Sequence, residues 1–218
     1  MDRLAAIIVV LLIGGTAAAF AYTQGLKQTK SPIVATQVKP HQFSPACECL
    51  QRSVRIGFGL RRSDHVTLSI VNGGGRVVRT LLDDQPVRHG YHSFTWNGYY
   101  ADGRQAPDGV YHPRVDLSDA DRTITMPSPI RIDTLPPRIS GAAAHATKTL
   151  LRVRYLFSEQ ANALLFVGGR RVLLSLSHRP TGRVQVSLRS LHGAKTVSLV
   201  ARDLAGNLSK PRLLKVPS

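Results

Sequence analysis

The sequence predicts an all-β chain: two tandem antiparallel β-sandwiches preceded by one N-terminal transmembrane helix. Three observations carry that expectation. Leu4 to Tyr22 is a run of 19 residues without a charge, close to the ~20 that cross a bilayer as a helix. From Val54 onward apolar residues recur at every second position in short runs, the period of a half-buried strand, and no stretch sustains a helical period. Turn pairs separate the runs, and Pro136-Pro137 divides them into two groups, since two prolines in succession end a hydrogen-bonded ladder and stiffen the joint. The expected organisation is a membrane helix over 1–22, a juxtamembrane stalk over 23–42, and sandwiches over 43–135 and 136–218.

The elements follow in order. Arg3 precedes the apolar run, and Ala19-Phe20-Ala21 has the small-x-small form of a signal-peptidase site, so the segment reads either as an uncleaved anchor or as a cleaved signal. The anchor is the favoured reading because of its length. Both readings export the rest of the chain. Thr23 to Gln42 carries Pro32 and Pro40 and shows no period beyond a short extended piece at Ile33 to Val38.

In the first sandwich Val54, Ile56, Phe58 and Leu60 share a strand face, and Val66, Leu68 and Ile70 share the next. Asn72-Gly73-Gly74-Gly75 turns the chain into a returning strand at Arg76 to Leu82, a hairpin by its turn chemistry. Asp83 to His89 is expected as a loop. Phe94 and Trp96, the latter the sole tryptophan, lie on one face of a strand that ends at Asn97-Gly98. Val110 to Leu117 and Arg122 to Ile132 complete the set. In the second sandwich the strands are Leu151 to Phe157, Ala161 to Leu165, Arg171 to Leu176, Val184 to Leu188, Val197 to Ala201 and Leu213 to Val216. The turn Asp203-Leu-Ala-Gly-Asn207 lies before the last of them. Ile56-x-Phe58-x-Leu60 followed by Gly75-Arg76-Val77 is echoed by Val153-x-Tyr155-x-Phe157 followed by Gly169-Arg170-Arg171-Val172, so one pattern is used twice. With hydrophobic residues at 43% and aromatics at 6%, the cores rest on Val, Leu and Ile, which suit strands.

Within this frame, Ile70-Val71-x-x-x-Gly75-x-Val77-Val78-Arg79, Phe94-x-Trp96-x-Gly98, Gly103 and Pro107-Asp108-Gly109-x-Tyr111 resemble the immunoglobulin-like domain of flagellar hook-capping proteins and many exported bacterial proteins. The second sandwich is similar to a more degenerate bacterial Ig-like domain, chiefly through Ala201-Arg202-Asp203-Leu204-Ala205-Gly206-Asn207, and lacks the Trp-x-Gly element. The resemblance implies a spacer or interaction module on an exported protein and no activity. Relatives often follow Phe-Ser-Pro with an Asn/Asp/Gly-rich stretch able to hold calcium. Here Phe43-Ser44-Pro45 is followed by Ala-Cys-Glu-Cys, so no metal site is carried over.

Charge and cysteines bound the function. The net charge is +16, unevenly placed: 12 Lys and Arg against 10 Asp and Glu over 42–139, but 12 against 2 over 151–218. Such a domain suits an anionic partner, with Arg170, Arg171, Arg179, Arg183 and Arg189 as candidate contacts; compositional background is the competing account. Cys47 and Cys49 are two thiols, too few for a thiolate zinc site. They are candidates for a disulfide with each other or between chains. Trp96 is assigned to the core rather than to sugar stacking, and His89 and His92 to a solvated loop. No Gly-x-Ser-x-Gly, His-Glu-x-x-His or phosphate-binding loop is present. The aromatics after residue 151 (Tyr155, Phe157, Phe166) fall on apolar faces, which argues against nucleic-acid binding.

The resulting expectation is a non-enzymatic, single-pass membrane protein with extracytoplasmic sandwiches, no cofactor and no metal. Its partners are the membrane through the helix and an anionic envelope polymer, lipid or envelope protein. The alternatives are a secreted subunit released after Ala21 and dimerised by disulfide, and an enzyme whose site is built from scattered residues.

Overall fold

A computed structural model describes residues 2–27, 30–47 and 49–217, with side chains described over 7–20 in the N-terminal helix. That helix, α1, spans Asp2–Lys27. Its described side chains, Ile7 to Phe20, are all exposed. Among the described residues no helix is long and apolar enough to cross a membrane. The expected span over 4–22 is not met there. The two ends of the expected span lie outside the described side chains.

The first sandwich contains strands β1 (Ile33–Lys39), β2 (Gln42–Phe43), β3 (Val54–Leu60), β4 (Asp64–Asn72), β5 (Val77–Val87), β6 (Gly90–Trp96), β7 (Gly109–Leu117), β8 (Arg122–Thr125) and β9 (Ile130–Ile132). One sheet has the order β1-β3-β6. The other has the order β2-β9-β7-β4-β5, with β8 also paired to β7. The second sandwich contains β10 (Ile139–Ala146), β11 (Leu150–Phe157), β12 (Ala161–Val167), β13 (Arg170–Leu174), β14 (Thr181–Ser187), β15 (Thr196–Asp203) and β16 (Arg212–Lys215), with a 3₁₀ turn at Leu188–Leu191. Its sheets have the orders β10-β11-β14 and β13-β12-β15-β16. The two halves share one plan. β3 and β11 are the centres of three-stranded sheets, the hairpins β4–β5 and β12–β13 follow, and β7 and β15 pair with the first strand of each hairpin. The repeat seen in the sequence is therefore a repeat of topology.

Three differences from the sequence expectation have physical causes. Ile33–Lys39 is a strand paired with β3, so the first sandwich begins at Ile33 rather than at 43. Ile33 and Val38 are both buried, but a bulge between Val34 and Gln37, with Ala35 at φ 51°, breaks the alternation. The segment Asp83 to Val87 continues β5 because it lies on an edge and its last three residues, Gln85 to Val87, pair with Asp64 to Val66. β10 is rich in alanine and lacks the apolar–polar contrast by which a strand is recognised.

The first core is organised around Trp96, 1% exposed. Its ring meets Phe43 and Tyr111 edge-on at centroid distances of 5.8 and 5.2 Å, the arrangement aromatic quadrupoles favour. Its indole N–H donates to the Tyr99 carbonyl at 3.1 Å, and the Tyr111 hydroxyl donates to the Pro107 carbonyl at 2.6 Å. Gly98 follows at φ +83°, and a Cβ there would collide with Pro45 and press on Phe43. The second core centres on Leu151, Val153, Leu165, Leu199 and the stacked pair Tyr155 and Phe157, 4.3 Å apart.

Candidate functional site

The chain enters the first sandwich at Lys30 to Pro32, beside Leu60 to Asp64 and Leu117 to Ala120. It leaves from the opposite end. β4 starts at Asp64, at the entry end, and finishes at Asn72 opposite Tyr111, next to Ile130 and the exit at Asp133. Nine residues at about 3.3 Å each give roughly 30 Å between the two ends.

At the exit the two sandwiches meet in a polar seam. The Asp133 amide donates to the Phe43 carbonyl at 3.1 Å, and Gln42 Nε2 donates to Asp133 Oδ2 at 2.8 Å. Asn207 Nδ2 donates to the Asp133 carbonyl at 2.9 Å and to Asp203 Oδ2 at 2.8 Å. Asp203 Oδ1 accepts the Asn207 amide at 2.8 Å, which closes the turn after β15. Gln51 Nε2 donates to the Leu204 carbonyl at 3.3 Å. Cys47 and Cys49 are joined by a disulfide with Cα atoms 5.2 Å apart. Gly206, at φ +97°, seats against that loop, since a Cβ there would come 2.5 Å from Cys49 Sγ and 2.8 Å from Gln51 Oε1.

Asp133, Glu159 and Asp203 place carboxylate oxygens within 4.8 Å of one another at this seam. Burial, then the neighbouring Asp133 and Asp203 charges, raise the Glu159 carboxyl. Burial also raises Asp203, against the lowering effect of the Asn207 hydrogen bonds, and the Asp133 charge adds to the rise. An all-oxygen cluster of this kind has the donor type that hard divalent cations take, and among the described residues it is the only group of His, Cys, Asp and Glu so placed. The sequence places Asp203 in the turn that closes at Asn207 but points to none of the three as a ligand. Asp133 precedes the prolines, Glu159 follows β11 and Asp203 ends β15, so only the topology brings them together.

Six arginines of the second sandwich line two clefts on it. One, near the end away from the seam, is lined by Arg170, Arg171, Arg189 and His192 with Val167 and Val172, in a volume of about 450 Å³. The hairpin β12–β13 supplies the first pair. The 3₁₀ turn supplies Arg189, capped by the Ser187 hydroxyl accepting its amide at 3.3 Å. The second cleft lies on the outer face of the β10-β11-β14 sheet and is lined by Arg152, Arg154, Arg183 and His145 with Ala143 and Ala144, about 410 Å³. Of the five arginines singled out from the sequence, Arg170, Arg171 and Arg189 are brought together and Arg183 lies in the other cleft. Arg179 lines neither and sits near Tyr155. Arg152 and Arg154 were missed, although their spacing of two on a strand already places them on one face.

The histidines make no catalytic set among the described residues. His65 Nδ1 faces Asp119 at 3.2 Å on the surface, His92 Nε2 meets the Arg88 carbonyl, and His112 meets the Met126 carbonyl. None is hydrogen-bonded to a serine, threonine or cysteine side chain.

These features define the class: tandem β-sandwiches of immunoglobulin type, joined by a polar seam. Residues 50–121 match the family model of the FlgD Ig-like domain, and this segment is a bacterial Ig-like domain of the hook-capping type. The basal-body rod modification protein FlgD of Escherichia coli is 42% identical over 57 residues, which is 26% of this chain and 24% of that protein. FlgD of Salmonella typhimurium aligns to the same extent. The chain thus spans about a quarter of the length of these curated relatives. Among solved structures, the fibronectin(III)-like modules of Clostridium thermocellum CbhA align with a TM-score of 0.42 at 14% identity, covering 84% of this chain and 93% of theirs. The human OSCAR ligand-binding domain aligns at 0.43 and 12%, covering 83% and 96%. Likeness at that level carries no statement about what this chain binds.

Proposed function

We propose that this chain is a non-enzymatic, exported interaction module of the cell envelope. Its N-terminal helix attaches it to the membrane, and its first sandwich holds a cationic second sandwich away from that attachment to meet an anionic partner. The observation that carries the reading is the placement of charge. The chain enters the first sandwich roughly 30 Å from the seam, and beyond the seam six arginines line two clefts while the acids of the second sandwich, Glu159 and Asp203, stay at the seam itself. The charge-free run Leu4 to Tyr22 and the exposed apolar side chains Ile7 to Phe20 support the membrane attachment. The Cys47–Cys49 disulfide supports an oxidising compartment. Extracytoplasmic location also argues against nucleic acid as the partner.

Fractionation of producing bacterial cells tests this. The reading expects the chain in the membrane fraction, with residues beyond 30 digested by protease added to spheroplasts. Recovery in the soluble extracellular fraction with a mature N-terminus at Tyr22 would replace the tether by the secreted form. Protection from external protease would remove export altogether.

A further inference from the structure

Three arginines stand together on the outer face of the second sandwich without an acid beside them. Arg154 of β11 is directly opposite Arg183 of β14, and Arg152, two residues back on the same face, is directly opposite His145 of β10 and Gln185 of β14. Directly opposed side chains in an antiparallel pair have Cβ atoms about 4.5–5.5 Å apart, and like charges so placed are destabilising. Ala143, opposite Arg154, is too small to fill its place in the row, and this opens the cleft. No exposed position of the three strands is acidic. Among the described residues all three ion pairs belong to the first sandwich. The guanidinium groups are thus gathered, exposed and uncompensated by any carboxylate of the fold.

The chemistry of the missing counter-charge follows from the donors. One guanidinium fork saturates the two oxygens of a carboxylate. Three forks and an imidazole converging from three strands suit an anion with three or more acceptor oxygens, and arginine matches phosphate geometry through several such bonds. The cleft is open along the sheet, so a chain can cross it. Its distance from the membrane-attached end favours a polymer over that membrane's own head groups.

We infer that Arg152, Arg154, Arg183 and His145 form a binding site for the phosphate groups of a phosphodiester-type anionic polymer. This site is separate from the Arg170–Arg171–Arg189 cleft and rests on the reading of the second sandwich as the binding end.

The test uses the full chain held in neutral detergent micelles, with fluorescent inorganic polyphosphate as probe and polyglutamate as a carboxylate control, at several salt concentrations. Arg154→Gln with Arg183→Gln is expected to weaken polyphosphate binding at least tenfold. It is also expected to leave the melting temperature without probe unchanged or raised, because a like-charge pair is removed. Arg170→Gln with Arg171→Gln and Arg189→Gln is expected to weaken binding less than threefold. Polyglutamate binding as tight as polyphosphate would overturn the phosphate assignment. Displacement of polyphosphate by phosphatidylglycerol mixed into the micelles would overturn the polymer in favour of lipid. If only the triple variant loses binding, this site is wrong while the anionic-partner reading stands. If the wild-type chain binds no polyphosphate yet still pellets with cell envelopes, the inference fails alone.

Discussion

Replacing Gly98 by alanine isolates how closely the turn after Trp96 is packed. Gly98 and Gly103 have nearly the same backbone, φ +83° and +82°, so alanine strains both alike, by about 1–2 kcal/mol for a left-handed residue. Their surroundings differ. At Gly103 an added Cβ meets nothing within 4 Å, whereas at Gly98 it runs into Pro45 and comes 3.1 Å from the Phe43 ring, which packs on Trp96. Overpacking of that kind costs typically about 1–3 kcal/mol more. Gly98→Ala should therefore destabilise by about 2–5 kcal/mol in total, with Gly103→Ala as the strain-only control. Trp96 is the sole tryptophan, so its fluorescence reports the first sandwich without interference from the second. With a urea slope of about 2 kcal/mol/M, the Gly98→Ala midpoint should fall roughly 0.5–1.5 M below that of Gly103→Ala. Equal midpoints would refute the close approach.

Further predictions concern the seam. Glu159 and Asp203 have raised carboxyl groups, so the folded state holds their protons more tightly than the unfolded chain. Keeping these carboxylates charged where they are buried, and beside Asp133, is destabilising at neutral pH and is relieved as pH falls towards the carboxylate range. In buffer with a chelator, Glu159→Gln should raise the melting temperature at pH 7, and the gain should shrink by pH 5. A lower melting temperature at pH 7 would contradict this account of the cluster. Asn207→Ala removes two donors spanning Asp133 and Asp203 and should cost about 1–3 kcal/mol. It should also broaden the inter-sandwich distance distribution measured by spin labels; an unchanged distribution would show that the seam does not depend on it. Peptide mapping without reductant should recover Cys47 and Cys49 linked within one peptide, and two free thiols in exported protein would sink the disulfide.

How much of this was legible depended on contrast between neighbouring residues. Val54 to Leu60 and Leu151 to Phe157 alternate cleanly because each is the centre of a three-stranded sheet with one face in the core, and both were placed from the sequence. β1 was legible only as a short extended piece at Ile33 to Val38 and not as part of the sandwich, because the bulge between Val34 and Gln37 shifts Ile33 and Val38 out of phase. β10 was hidden because alanine fills either face. Arg122 to Ile132, expected as one strand, is two, since Pro127 and Pro129 cannot donate to a ladder. Arg170-Arg171 drew notice as a doublet, whereas the Arg154–Arg183 pair depends on a cross-strand register 29 residues long that local pattern does not fix. The seam cluster was the least legible, since its acids come from a linker, a hairpin end and a closing turn.

The central claim is that the second sandwich meets an anionic envelope partner through its arginine clefts. Co-sedimentation of the detergent-held full chain with lipid-free cell-wall material across a salt series tests it most directly, because lipid is absent and the helix cannot carry the chain down. The account predicts pelleting at low salt that fades as salt rises and that is lost when Arg152, Arg154, Arg183, Arg170, Arg171 and Arg189 are together changed to Gln. Absence of pelleting at low salt, or pelleting indifferent to both salt and the substitutions, would contradict it.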